Sequence, residues 1–227
     1  EVVETPLALL DRLLGAGAIG DVGEREKVAE RIDRLAVAAD ALHLEHEVVS
    51  LPGELRSFKD ITGLPGHPVE GVTFSNVHVT YAGGGTAEEA ARRDVPEMKD
   101  HYPEYHMFGT LPAYGLYVRH AQGLTLDNVT FDLDQPDLRP ALVCDDVADL
   151  ELSNVRAQGN SEAEALIRLQ QVRGAFVHGC RPLNEVTAFL RVEGEASGDI
   201  LLAANDLRRA KSVAHTADGA REDAVIS

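Results

Sequence analysis

The sequence predicts an all-β fold, a right-handed parallel β-helix of about 25 residues per turn, preceded by an N-terminal α-helical hairpin. Three observations carry this expectation. The apolar pattern changes period near Ser50, from helical to alternating. Beyond that point related segments recur, "VEGVTFSNVHVT" (69–80), "AQGLTLDNVTFD" (121–132), "VADLELSNVRAQ" (147–158) and "VRGAFVHGCRPL" (172–183). Their small or acidic pivots are Gly71, Gly123, Asp149 and Gly174, with a weaker fifth at Gly198, and Asn76, Asn128 and Asn154 each fall five residues after a pivot.

The pivots are separated by 52, 26, 25 and 24 residues. The first interval reads as two periods, with the missing unit displaced by an insertion at 82–114. A second register lies upstream of each pivot, in "GLYVRHA", "ALVCDDV", "ALIRLQQV" and "AFLRVEGE". One period therefore holds two or three short strands joined by tight corners. Each coil would stack about 4.8 Å above the last, with inward Val, Leu, Ile and Phe forming a column. Asparagine suits the corners because it tolerates the left-handed conformation and its amide can bond the bend.

Residues 1–50 read as two helices. Thr5 and Pro6 make a start signal, Leu7, Leu10, Leu13 and Leu14 share a face, and Gly15, Gly17 and Gly20 end the helix. Val28, Ile32, Leu35, Ala39 and Leu42 then form a narrow apolar seam opposite a charged, solvated face. That seam would cap the open end of the β-helix domain at 51–227, or join copies of the chain into a homo-oligomer.

Composition narrows the function classes. Acidic residues outnumber basic ones by 38 to 21, a net charge of −17, which argues against a phosphate-backbone partner or an anionic lipid surface. No apolar run reaches the roughly 18–20 residues that span a bilayer. Two cysteines, Cys144 and Cys180, exclude a disulfide scaffold, and no cofactor motif is present; "AGGG" at 82–85 lacks the Lys-Ser/Thr of a phosphate loop. The chain begins at Glu1 without a methionine or signal segment, so it is expected to be processed or to be part of a longer protein.

Candidate chemistry clusters in two places. The insertion holds His101, Tyr102, Glu104, Tyr105, His106, Phe108, Tyr114 and Tyr117. Aromatic faces with nearby His and carboxylates grip sugars, and the same residues would equally anchor a long loop to the barrel flank. His101, Glu104 and His106 lack a recognised metal-ligand spacing. Asp145-Asp146 is the only adjacent acid pair in the repeats; strand alternation would send the two carboxylates to opposite faces. Arg119 falls one coil below Asp145, so an ion pair between coils is expected. Arg119, Arg168 and Arg191 form a basic strip that faces either a ligand or acids on adjacent coils. His67 in "PGHP" reads as a corner residue, and the two cysteines do not meet.

"ITGLPGHPVEGVTFSNVHVTYAGGG", "VPEMKDHYPEYHMFGTLPAYGLYVRH" and "RPALVCDDV" resemble the C-terminal part of bacterial members of glycoside hydrolase family 28, the polygalacturonase group with its pectin-lyase-like β-helix. The resemblance covers Ile61 to about Arg209. It implies plant polysaccharide as the partner, inverting hydrolysis as the ancestral reaction, and a secreted or periplasmic setting. The family's Asn-Thr-Asp, Gly-His-Gly and Arg-Ile-Lys motifs do not occur in this chain, so no catalytic residue carries over. The expected function is thus saccharide binding, or completion of a larger glycosidase, through Tyr105, His106, Tyr114, Arg119 and Asp145. A non-catalytic assembly module is the alternative. A small hydrolase using Asp145 or Asp146 with Glu104 or Asp134 is the third reading.

Overall fold

A computed structural model describes residues 60–97 and 108–227, together with the backbone of His43–Leu44. These residues build a parallel β-solenoid of about four turns, with ~25 residues per turn. The expected helical hairpin lies outside the described residues, except at its end. There His43–Leu44 (β1) is a strand paired in parallel with Thr73-Phe74, and not helix.

The first coil contains β2 (Asp60–Thr62), β3 (Val69–Glu70), β4 (Thr73–Ser75) and β5 (His78–Tyr81). A short helix α1 (Ala87–Ala90) follows, then β6 (Leu116–Asp127) and β7 (Thr130–Leu133). Next come β8 (Leu142–Ser153), β9 (Arg156–Ala157), β10 (Ile167–Gln170), β11 (Arg173–His178) and β12 (Arg181–Pro182). The last coils hold β13 (Val186–Glu193), β14 (Gly198–Ala203), β15 (Ala210–Ala217) and β16 (Val225–Ile226). Every strand pairing within the stack is parallel.

Register follows the repeat. Leu116 pairs with Leu142, Leu142 with Ile167 and Ile167 with Leu190. Likewise Phe74, Leu126, Leu152, Val177 and Leu202 stand one above another. These side chains are buried, and each fully buried Leu or Val contributes about 1.5–3 kcal/mol. The core is this column.

Three corners per coil hold the left-handed conformation. One column runs Gly71, Gly123, Asp149, Gly174 and Asp199, and another Asn76, Asn128, Asn154, Gly179 and Ala204. The fifth pivot is therefore Asp199, at φ 55°, and not Gly198, which pairs with Arg173 inside β14. The third column is His120, Asp146, Gln171, Gly194 and Asp218. Non-glycine residues pay for a positive φ unless a polar side chain or the stacked neighbours hold it. Asn128 is held: its Nδ2 donates to Asn76 Oδ1 at 2.7 Å.

The 52-residue interval spans one step of the stack and not two. β3 and β4 pair directly with β6, and β5 pairs directly with β7. The insertion is consequently a long connection that leaves the stack after Tyr81 and re-enters at Leu116. Asp137 fastens its start, accepting from the Gly85 N–H at 2.8 Å and from Arg139 Nη2 at 2.7 Å. Thr86 and Glu89 then cap α1 reciprocally through a capping box.

Candidate functional site

The described part of the insertion lies across the outward face of the strands that begin the coils. Arg168, only 1% exposed, donates to Ala90 O at 2.7 Å and to Arg92 O at 3.1 Å. Arg93 reaches Glu193 at 2.7 Å and Glu164 at 2.8 Å, and Arg191 also pairs with Glu193. One coil group lower, Arg119 donates to Val95 O at 2.5 Å and Pro96 O at 3.0 Å, with its guanidinium over the rings of Phe108 and Tyr117. The basic strip read from sequence is therefore spent on the chain's own carbonyls and acids. Arg119 and Arg168 are buried, and Arg191 is partly exposed.

Beside this covered patch the face carries a cluster of carboxylates. Ile61 points inward against Val118, which leaves Asp60 and Thr62 outward beside Tyr117 and Arg119. Burial pushes the Asp60 carboxyl up to about 6, against the opposing pull of Arg119. Asp145 lies on the next coil, in register with Arg119. Burial raises its pKa too, Arg119's charge opposes, and the Tyr117 hydroxyl donates to Oδ2 at 3.3 Å.

Asp145 and Asp146 do not face opposite ways. Cys144 points into the core and Asp145 outward, but Asp146 sits at φ 54°, which breaks the alternation and keeps its exposed carboxylate outside as well. Asp146 Oδ2 lies 2.6 Å from His120 Nδ1, and Glu97 Oε1 lies 3.1 Å from His120 Nε2. The result is a Glu97–His120–Asp146 chain at the rim, next to Asp145 and on the same face as Asp60. Both ring nitrogens of His120 are engaged, so it cannot chelate. Among the described residues no cluster of three His, Cys, Asp or Glu is arranged for a metal.

Two of the residues expected from sequence, Tyr105 and His106, lie outside the described residues, as do His101, Tyr102 and Glu104. Tyr114 is 1% exposed; its hydroxyl donates to Gln158 O and its ring meets Tyr81 edge-on at 5.8 Å. It anchors the returning end of the insertion. Arg119 and Asp145 share the site in register, yet no ion pair joins them: Arg119 is turned toward the insertion. Asp134 is exposed on a different side of the coil, after β7. Cys144 and Cys180 are both free and buried, with both thiols raised by burial, that of Cys180 to about 11. His67 closes a tight turn through backbone bonds with Leu64.

Asp60, His120 and Glu97 were not singled out by sequence reading. Asp60 lies just before the matched stretch that starts at Ile61 and His120 within "GLYVRHA", but neither they nor Glu97 are marked by the periodicity. Comparison with protein-family profiles, with curated proteins and with solved structures finds no match to this chain.

Proposed function

We propose that this chain is a saccharide-binding, right-handed β-solenoid module whose ligand lies along the outward face lined by Asp60, His120, Asp145 and Asp146. The observation that carries the reading is that two partly buried carboxyls with raised pKa, Asp60 and Asp145, share one face with a His–carboxylate chain. Carboxyls of that kind hydrogen-bond hydroxyl groups as donor or acceptor near neutral pH. The resemblance to polygalacturonase-type hydrolases supports a sugar as the ligand. The net charge of −17 favours a neutral or esterified glycan over a polyanion.

A second reading is hydrolysis, favoured by Asp60. A carboxyl raised to about 6 is suited to general-acid work. Ladder geometry sets the Cα atoms of Asp60 and Asp145 two rungs and two residues apart, about 12 Å. With side chains leaning together, that suits the wider carboxyl separation of inverting enzymes better than the narrow one of retaining enzymes.

A glycan array with wild type, Asp60→Asn and Asp145→Asn tests binding, and reducing-sugar release from pectin and neutral glycans tests hydrolysis. Binding lost in both variants supports the module; binding unaffected by either refutes this face as the site. Assembly into homo-oligomers through the N-terminal residues is the remaining reading, tested by light scattering on the full chain and on 51–227.

A further inference from the structure

A second feature lies on another side of the coil and does not depend on the acid-lined face. The corner column that starts as Asn76, Asn128 and Asn154 continues as Gly179 and Ala204. Three side-chain amides are followed by a hydrogen and a methyl, so the corner opens into a groove of about 310 Å³. Its lining includes Asn128, Asn154, Arg156, Arg181 and Asp206.

Arg156 and Arg181 are register partners on adjacent coils, so their Cα atoms lie about 4.8 Å apart. Two guanidiniums at that spacing repel unless something between them is negative. Arg156 spends one nitrogen on Asn128 Oδ1 at 2.5 Å, while its buried Nε has no partner among the described residues. Arg181 is exposed; its backbone N–H donates to Val155 O, while its side chain makes no hydrogen bond or close ion pair among the described residues and feels Asp206 only through its charge. The nearest candidate counter-ion, Asp206, is already gripped by Arg208 through two bonds of 2.8 Å, which hold its carboxyl down to about 2. The groove thus gathers Arg156 and Arg181 around one carboxylate that Arg208 already pairs, leaving a local excess of positive charge in a chain of net charge −17.

We propose that this notch binds an oxyanion, seated between the Arg156 and Arg181 forks. Paired guanidiniums present planar donors matched to sulfate, phosphate or carboxylate oxygens. The anion is either a free ion or the charged substituent of a sugar.

Sodium sulfate and glucosamine 6-sulfate, titrated into ¹⁵N-labelled full chain at constant ionic strength, test this. Saturable shifts are expected at the Gly179 and Ala204 amides. Affinity should fall about tenfold or more in Arg181→Gln and in Ala204→Glu, and stay unchanged in Arg221→Gln, an exposed arginine paired with Asp223 outside the groove. Tighter binding of the sugar sulfate assigns the notch to a saccharide, and equal affinity to a free oxyanion. Absence of saturable shifts with both probes overturns the proposal. So does an equal loss in Arg221→Gln, which would mean that only overall charge matters.

Discussion

Arg119 and Asp145 stand opposite one another on adjacent coils, yet they do not pair. Arg119 donates instead to the carbonyls of Val95 and Pro96, and Asp145 receives the Tyr117 hydroxyl. The cation holds the insertion, and the acid is left half-buried with a raised pKa.

That arrangement makes Arg119 a stability residue before anything else. Truncating it strands two carbonyls and removes the contacts to Phe108 and Tyr117. Arg119→Ala is expected to cost about 2–4 kcal/mol in urea unfolding. Hydrogen exchange at 92–97 should accelerate more than at Leu150 or Leu152, which lie in the column of stacked coils.

Asp60 should make folding stability depend on pH. Its folded pKa of about 6 exceeds the ordinary 3.8, so the folded state binds the proton more tightly. The stabilisation is full below pH 3.8 and is lost as pH rises through about 6, an effect of up to about 3 kcal/mol. Asp60→Asn should remove that slope and raise stability at pH 7. Urea midpoints of both proteins at pH 4, 5, 6 and 7 measure it.

Glu193 acts in the opposite sense. Although burial raises its pKa, bonds from Arg93 and Arg191 outweigh it and hold the carboxyl below 4.5. Its contribution is present above pH 4.5 and lost as pH falls through the lowered value. Arg93→Met leaves a 2%-exposed carboxylate with one guanidinium partner fewer, and is expected to cost about 2–3 kcal/mol at pH 7. The loss should shrink at pH 3, where Glu193 is closer to neutral.

The corner columns predict a stabilising change. Ala204 holds φ 53°, a conformation that asparagine adopts more readily than alanine. Ala204→Asn should raise stability by about 0.5–1 kcal/mol. Asn128→Ala should lose about 1–2 kcal/mol, since the amide bonds both Asn76 and Arg156. Thermal unfolding of the two variants gives the signs.

What could be read beforehand divides along physical lines. Gly71, Gly123, Asp149 and Gly174 were visible because a left-handed corner restricts residue type, and the same restriction made the asparagines visible. The third corner column escaped notice. His120, Asp146, Gln171, Gly194 and Asp218 share a backbone conformation but no chemistry, because the neighbouring coils impose it. The Asp145–Asp146 faces were misassigned for the same reason: alternation holds only until a left-handed residue intervenes. The coil register put Arg119 beside Asp145 correctly. It could not reveal that a distant loop would claim the guanidinium, because that contact is set by tertiary packing. Asp60 and Glu97 gave no periodic signal at all.

Side-chain ¹³C titration of Asp60 and Asp145, repeated with a saturating saccharide ligand, bears most directly on the acid-lined face. Both carboxyls should titrate above the ordinary aspartate range, and both midpoints should move when the sugar is present. Ordinary midpoints that ignore the sugar would contradict the assignment of this face as the binding site.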